Sequence, residues 1–486
     1  MSVFHLECAK LHTHAACLQS AMSTTYRPSL EAFRRAGWLP VNQEAYDTWM
    51  HDLSTKISNA ARSRGGEARG LLQPVQDLKT FIETNPTVYQ EFLRMFDGVT
   101  ESVRVYYSRL LYHASLTWTM QPKNYHELLE LYNEIFRQAP SFGSLGPPMY
   151  MIMFRIMNSQ AGFSAFTKEH LNIHFKKMLQ TWELFLLSKD SRSVLHKDDK
   201  GWLCAEAIGK MLVGYKEGRR FEDVFVCDPT AEYYGYVSWE DFFSRRYKDV
   251  HTDRPTGEED IIGHPTDTTK DLRSISSACQ CTLYAIQEGV KKSDDLYIKD
   301  EAYSLVHLLA NDPSVDYFVG GTVIQGFLNT TDYHRWHAPV QGTIKKLVSV
   351  PGTYFAQAPY TLDSTIAAYD AEGKEPPPPY LRSLRYFANT AARLLVFIES
   401  DNPIIGLMCF IAIGMTEIST CKATVYEGQH VKRGDELGTF CFGGSSCALV
   451  FRSEAKVKVG GDFSKPEAVL PINYPIAVAT GGDPQN

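Results

Sequence analysis

Residues 425–451 read VYEGQHVKRGDELGTFCFGGSSCALVF, and this stretch decides how the second half of the chain folds. Glycines stand at Gly428, Gly434 and Gly438, with short apolar runs between and after them. Glycine adopts the backbone angles that tight turns need, and short apolar runs between turns are typical of β-strands. The stretch therefore predicts β-hairpins that lead into a Gly-Gly-Ser-Ser sequence between two apolar strands.

The rest of the second half has the same character, since runs such as GTVIQGFL, GTIKKLVSVPG and RLLVFIES are rich in β-formers and separated by turn residues. The first half differs, because residues 125–136 and 171–186 carry apolar side chains at helical spacing. The pattern changes near residue 245. We therefore predict an α+β fold, with a helical N-terminal region over residues 1–230 and a largely β-sheet domain over residues 231–486.

Composition excludes several classes of function. The 486 residues are 44% hydrophobic and 22% charged, with a net charge of -7, and no basic run interleaved with aromatics indicates nucleic-acid binding. The ten cysteines include no CxxC pair, which favours a reducing, cytoplasmic environment over a disulfide framework. The most apolar segment, residues 403–415, is shorter than the roughly 20 residues of a spanning helix. We expect a buried strand there and no membrane anchor.

The first candidate for chemistry is the sequence Gly443-Gly444-Ser445-Ser446. An N-to-O acyl shift needs a hydroxyl beside the carbonyl that precedes it, and a glycine before the serine removes steric hindrance. Gly444 and Ser445 meet both requirements. The same four residues also suit an ordinary Gly-Ser turn, so the motif carries little weight without a partner.

The second candidate is DYHRWH, residues 332–337, which offers two imidazoles, a guanidinium and an indole. Imidazole is the side chain best suited to proton transfer near neutral pH, so His334 and His337 are candidate bases. The same pair could begin a zinc site. No Cys or third His stands at a zinc-site spacing around it, so we expect no metal.

Taken together, the two motifs resemble those of the phosphatidylserine decarboxylase family. DYHRWHAP is similar to the histidine signature of that family, and FGGSS followed by CALVF is similar to its self-cleavage site. The likeness covers much of residues 238–451. In the other half, GPPMYMIMFRIMNSQAGFSAF and HFKKMLQTWELFLLSKDSRSVL resemble the soluble fungal L-tryptophan decarboxylases of the psilocybin pathway.

This resemblance implies that residues 231–486 form a pyruvoyl-decarboxylase catalytic domain, self-cleaved between Gly444 and Ser445. His337 would take the Ser445 proton, the pyruvoyl group would form from Ser445, and no external cofactor would be needed. The two resulting chains would stay associated. The substrate would be an aromatic L-amino acid, L-tryptophan above all, converted to its amine and carbon dioxide, with His337 or His334 returning a proton to the product.

The resemblance leaves the walls of the substrate pocket to be chosen among aromatic residues. Trp336 and Phe355 are our candidates for contact with an aromatic ring, although aromatic side chains in a β-domain are most often plain core. We expect the small-molecule amino acid to be the substrate partner, with neither nucleic acid nor membrane involved.

Two features depart from the patterns of these relatives. Cys279 stands where phosphatidylserine decarboxylases have the aspartate that partners the catalytic histidine. A thiol is a poor acceptor for an imidazole N–H, so we expect a backbone carbonyl or a carboxylate such as Asp332 or Glu417 to orient His337. Residues 103–119 are additional relative to the tryptophan decarboxylases, and we assign them no catalytic role.

Two alternative functions stay open at this point. A phosphatidylserine decarboxylase that makes phosphatidylethanolamine would show the same motifs and mechanism, together with a membrane-binding segment. A non-catalytic binding protein of the same fold would keep the bond between Gly444 and Ser445 intact.

Overall fold

Helices dominate the first half of the described chain and strands dominate the second, which confirms the α+β prediction. The computed structural model describes residues 23–25, 43–62, 70–97, 121–142, 147–215, 218–250, 272–294, 303–357, 383–417, 420–442, 445–465 and 468–482. Two features singled out above, residues 103–119 and Gly444, lie outside these ranges.

The helices form where apolar side chains recur at helical spacing. Helix α7 (Glu169–Leu186) buries Leu171, Phe175, Met178 and Trp182 on one side, as its sequence predicts. Within the described ranges, no helix combines the length and the apolar character needed to cross a membrane. The helices there are α1 (Gln43–Arg62), α2 (Gln73–Thr84), α3 (Pro86–Arg94), α4 (Tyr125–Ile135), α5 (Pro148–Met157), α6 (Gln160–Phe166), α7 (Glu169–Leu186), α8 (Ala205–Met211), α9 (Phe221–Val224), α10 (Trp239–Phe243), α11 (Leu305–Leu308) and α12 (Leu384–Thr390).

The strands of the described residues form three antiparallel sheets. These strands are β1 (Ser23–Thr25), β2 (Ser274–Ser276), β3 (Cys281–Glu288), β4 (Thr322–Phe327), β5 (Arg335–His337), β6 (Gly342–Val350), β7 (Arg393–Ser400), β8 (Leu407–Ile413), β9 (Thr420–Ala423), β10 (His430–Val431), β11 (Glu436–Cys441), β12 (Ser446–Phe451), β13 (Val457–Val459), β14 (Val469–Leu470) and β15 (Pro475–Ala479). The largest sheet has the order β1-β3-β4-β12-β8-β7-β6-β10 with β14 also paired to β3, and the smaller two have the orders β5-β11-β9 and β13-β15-β2.

Strand β12, with the sequence SCALVF, lies in the middle of the large sheet. It pairs with β4 on one side and β8 on the other, so that Ser446 stands opposite Phe327 and Ile413. All six of its residues are buried, which explains why its sequence is continuously apolar after the serine rather than alternating. The predicted buried strand within residues 403–415 is confirmed as β8.

Polar contacts and ion pairs join the helical region to the β-sheets. The Glu417 carboxylate accepts backbone N–H groups from Met149 at 2.7 Å and Tyr150 at 3.1 Å. These donors belong to the first turn of α5, where N–H groups have no partner within the helix and the helix dipole favours a negative charge. A second link is the ion pair between Lys422 of β9 and Glu183 of α7.

We expect the substitution Glu417→Ala to lower the free energy of unfolding by about 2–3 kcal/mol, because it leaves two buried N–H groups without an acceptor. Glu417→Gln keeps one acceptor oxygen, so its free energy of unfolding should fall by less than that of Glu417→Ala. Thermal and urea denaturation of both variants would measure the difference. Equal stability of Glu417→Ala and the unsubstituted protein would contradict this role.

Candidate active site

The hydroxyl of Ser445 is buried and has no hydrogen-bond partner among the described residues. Ser445 immediately precedes β12, and its carbonyl accepts the Leu328 N–H at 2.7 Å, so its backbone is fixed in the sheet. Buried hydroxyls are nearly always hydrogen-bonded, because an unpaired one costs free energy. Ser445 is therefore the kind of exception that calls for a chemical explanation.

The neighbouring Ser446 shows the opposite behaviour. Its Oγ donates to the Gly326 carbonyl at 2.8 Å and accepts from Gln325 Nε2 at 2.9 Å. The Gln325 side chain is in turn held by the Tyr303 hydroxyl. Because successive side chains of a strand point to opposite faces, Ser445 points away from this network. Within the described part of the chain, the Ser445 hydroxyl has no hydrogen-bond partner, whereas the Ser446 hydroxyl has two.

Strand pairing brings the histidine motif beside the segment that leads to Ser445. Strand β5 carries the motif and is antiparallel to β11, with Arg335 opposite Thr439 and Trp336 opposite Gly438. The Phe440 N–H extends the pairing to the His334 carbonyl at 3.0 Å. The chain then leaves β11 after Cys441, four residues before Ser445. The histidine motif therefore pairs with the strand from which the chain passes to Ser445, while β12 itself belongs to the large sheet.

His337 is held by a hydrogen bond at each ring nitrogen. Its Nδ1 lies 2.7 Å from the Gly434 carbonyl oxygen, and its Nε2 lies 3.1 Å from the Tyr333 hydroxyl. A carbonyl can only accept, so Nδ1 carries a hydrogen, and in the neutral form of the imidazole Nε2 is the nitrogen with the lone pair. This tautomer is the one that a general base needs.

His334 is also buried, and its ring lies 4.1 Å from the Phe243 ring. Its Nδ1 lies 2.8 Å from the Asp332 carbonyl oxygen. Burial, together with the smaller effect of the positive charge of Arg245, lowers the pKa of His334 to about 3. His334 is therefore a neutral imidazole at physiological pH.

Cys279 lies between the histidine strand and β12. The backbone N–H of His337 donates to the carbonyl of Ala278, the residue before Cys279, at 2.9 Å. The Cys279 thiol is hydrogen-bonded to Cys447, two residues after Ser445. Burial raises the pKa of the Cys279 thiol well above its usual range, so the thiol stays neutral. The residue that we matched to the family aspartate is thus an uncharged group, and that match stays a prediction.

A backbone carbonyl binds the Nδ1 of His337, as one of our two expectations stated. The two carboxylates that we named as candidates were wrong choices. The Asp332 carboxylate accepts the Asn329 N–H at 2.7 Å, and the Glu417 carboxylate binds the first turn of α5. Both were suggested by their proximity to His337 in the sequence, but these hydrogen bonds join them to other residues and not to the imidazole.

The two predicted substrate contacts are core side chains in this structure. The Trp336 ring packs at 5.3 Å from Phe410, and a Cβ at Gly438 would lie 2.4 Å from the indole, so the glycine leaves room for it. The Phe355 ring packs at 5.0 Å from Phe175 of α7. Contact of either residue with a substrate stays a prediction.

Three further residues of the site were missed in the sequence. Tyr333 lies inside the histidine motif, and a phenol beside two imidazoles was a signal that could have found it. Gly434 was recognised only as a turn residue, because a backbone carbonyl has no signature in the sequence. Gln325 lies in the apolar run GTVIQGFL, where a lone buried amide predicts a hydrogen-bonding partner.

A buried carboxylic acid lies next to the end of β11. The side chain of Glu240 on α10 is close to the Cys441 thiol and the Phe442 N–H, yet neither of its oxygens has a hydrogen-bond partner among the described residues. Burial raises the pKa of Glu240 to about 8. Glu240 is therefore largely protonated at neutral pH.

Comparison with known proteins identifies the family. One sequence profile of phosphatidylserine decarboxylase matches residues 239–469, and a second profile of the same description matches residues 72–211. The chain belongs to the phosphatidylserine decarboxylase family, whose members are carboxy-lyases. Both the helical half and the β-sheet half are covered by this assignment.

Curated relatives narrow the comparison to a branch of the family. The chain is 52% identical to the L-tryptophan decarboxylase of Psilocybe cyanescens and 48% identical to that of Psilocybe cubensis, in each case over 95% of this chain and 98% of the relative. It is 40% identical to a decarboxylase of Amanita muscaria over 64% of this chain and 85% of the relative. The phosphatidylserine decarboxylase proenzyme 2 of rice is more distant, with 28% identity over 52% of this chain.

We expect Cys279→Ser to cleave and turn over at close to the normal rate, because the Nδ1 of His337 is held by the Gly434 carbonyl rather than by the thiol. The rate of precursor disappearance on denaturing gels would test this. A stalled Cys279→Ser precursor would show that the thiol takes part in the reaction.

We expect Glu240→Gln to flatten the dependence of stability on pH. The folded-state pKa of Glu240 is raised, so its contribution to stability is complete below about pH 4 and is lost as pH rises through about 8. Between pH 5 and pH 8 the free energy of unfolding of the unsubstituted protein should fall by on the order of 1–3 kcal/mol more than that of the variant. Urea denaturation at both pH values would measure this loss, and parallel pH profiles would contradict it.

Proposed function

We propose that this chain is a self-processing, pyruvoyl-dependent decarboxylase that converts an aromatic L-amino acid, L-tryptophan above all, to its amine and carbon dioxide. One observation carries the chemistry: Ser445, in the motif that resembles the family cleavage site, has a buried hydroxyl without a hydrogen-bond partner among the described residues. The substrate rests on the names of the two Psilocybe relatives, which match this chain over nearly its whole length.

In the cleavage reaction, the lone pair at His337 Nε2 accepts the proton of Ser445. The serine oxygen then attacks the Gly444 carbonyl carbon, and the peptide C–N bond breaks to leave an ester and a free amine. Loss of the Ser445 α-proton expels the Gly444 carboxylate, and hydrolysis of the resulting dehydroalanine releases ammonia and leaves a pyruvoyl group. Because Tyr333 donates to the same Nε2, its hydrogen bond must open before His337 can take the proton.

Strand pairing supports lasting association of the two products. The small chain would begin at residue 445, and its first strand, β12, lies between β4 and β8 of the large chain. Strands β14 and β15 of the small chain pair with β3 and β2 of the large chain. Breaking one peptide bond leaves these backbone hydrogen bonds intact, so the chains should separate only on denaturation.

The pyruvoyl group, once formed, supplies the carbonyl that accepts electrons as carbon dioxide leaves. A proton must then replace carbon dioxide on the substrate α-carbon. The low pKa of His334 leaves almost no imidazolium at neutral pH, which favours His337 over His334 as the group that returns this proton.

We place the protein in the cytoplasm, because the eight cysteines of the described residues are all free.

We expect the purified protein to appear as two chains, with the small chain beginning at a pyruvoyl group that blocks Edman degradation. Ser445→Ala should remain one chain without activity, and His337→Ala should accumulate precursor. Ser446→Ala is the matched control, because its hydroxyl serves the Gln325 network and not the cleavage, so this variant should still be cut. Intact-mass measurement would distinguish these results.

The substrate is tested by carbon dioxide release from L-tryptophan, L-phenylalanine and phosphatidylserine vesicles. Release from L-tryptophan alone or most rapidly would support the proposal, whereas release from phosphatidylserine alone would replace it with a phospholipid decarboxylase. A Ser445→Ala variant that is still cut at the same bond would remove the serine from its role. An intact, inactive chain would indicate a binding protein.

A further inference from the structure

Phe442 has a backbone conformation that bulky residues rarely adopt. Its φ is +56°, in the left-handed region where glycine is favoured and a side chain costs free energy. Phe442 follows the last residue of β11 and stands three residues before Ser445. Such conformations persist only where the surroundings enforce them, and they cluster at functional sites.

Three aromatic rings surround the buried Phe442 side chain. The ring centroid of Trp182 lies at 4.4 Å and that of Trp239 at 4.9 Å, both in edge-on geometry, and the Phe243 ring lies at 6.2 Å. We call these three residues the aromatic clamp. Trp182 comes from α7 in the helical region, whereas Trp239 and Phe243 come from α10.

The aromatic clamp is itself fixed. The Trp182 indole N–H donates to the Gln138 carbonyl at 2.9 Å, and the Trp239 backbone N–H donates to Ser191 Oγ at 2.8 Å. Phe243 packs directly on the ring of His334. The clamp therefore ties Phe442 to both the helical region and the histidine motif.

The sequence after Phe442 explains why such an anchor is needed. Gly443 and Gly444 have no side chains through which surrounding residues could hold them, so Phe442 is the last anchored side chain before the scissile bond. An acyl shift needs the Gly444 carbonyl aligned with the Ser445 oxygen, and a displacement of 1 Å can cost about a hundred-fold in rate. Glycine at position 442 would relieve the backbone but would leave three successive glycines without an anchor.

We propose that Phe442 is the positioning residue for self-cleavage and that Trp182 makes the helical region a necessary part of that reaction. The inference rests on the proposed self-processing and adds a requirement to it. Phe442 acts only while the chain is continuous. After cleavage it belongs to the end of the large chain, and it no longer positions the reacting group.

The test measures the first-order rate of precursor disappearance in the full-length protein after rapid synthesis. We expect Phe442→Gly to slow it by about ten- to a hundred-fold. Lys456→Gly is the matched control, because Lys456 also has a left-handed backbone, with a φ of +44°, on an exposed loop of the same domain. This control should mature normally. Phe442→Tyr, which retains the ring, should recover most of the rate.

A second pair of variants tests the clamp if Phe442→Gly fails to fold. Trp182→Leu should slow maturation, whereas Phe92→Leu should not, although Phe92 is also a buried aromatic residue of the helical region. The Phe92 ring packs on Phe166, which is outside the aromatic clamp. Thermal denaturation would show whether the two losses of stability are comparable.

The residual mature enzyme gives the deciding readout. The kcat per pyruvoyl group should remain near normal in Phe442→Gly, because the residue acts before cleavage. Hydroxylamine, which cleaves esters, should not cut the remaining precursor, because no ester intermediate accumulates in it. Folded Phe442→Gly and Trp182→Leu proteins that mature at the normal rate would overturn the inference while leaving Ser445 in its role. Failure of the unsubstituted protein to cleave would instead overturn the proposed function.

Discussion

The position of β12 between β4 and β8 is the constraint on which the rest of the structure depends. A strand hydrogen-bonded on both edges and buried on both faces restrains the residue that precedes it, and Ser445 is fully buried there. Its hydroxyl has no hydrogen-bond partner among the described residues, which leaves its oxygen available for the proposed internal reaction. The same pairing would hold the core together after the proposed cleavage, because it does not depend on the scissile peptide bond.

The histidine of this site is oriented without a carboxylate. The Gly434 carbonyl fixes the tautomer of His337 as an aspartate would, but it carries no full charge to stabilise the imidazolium that forms during proton transfer. The orienting bond comes from the turn at Gly434 and not from Cys279, the residue that we matched to the family aspartate.

The sequence predicted the elements better than the contacts. The apolar runs correctly marked strands β4, β6, β7 and β8, whereas the joint action of the two motifs stays a prediction. The partner of Glu417 could not be predicted, because it lies 268 residues away on α5 and depends on how two halves of the chain pack. The difference between Ser445 and Ser446 was also hidden, since it follows from strand alternation and from the place of Gln325 on a neighbouring strand.

The helical region contributes more than a cover for the sheets. Trp182 of α7 packs on the ring of Phe442. The first turn of α5 donates hydrogen bonds to Glu417, which follows β8 in the chain. Both contacts reach the β-domain within a few residues of the strands that surround Ser445. The proposed boundary near residue 230 therefore separates two kinds of secondary structure without separating two functions. A β-domain alone would lack Trp182, one of the three rings around Phe442, so the proposed cleavage would depend on both halves of the chain.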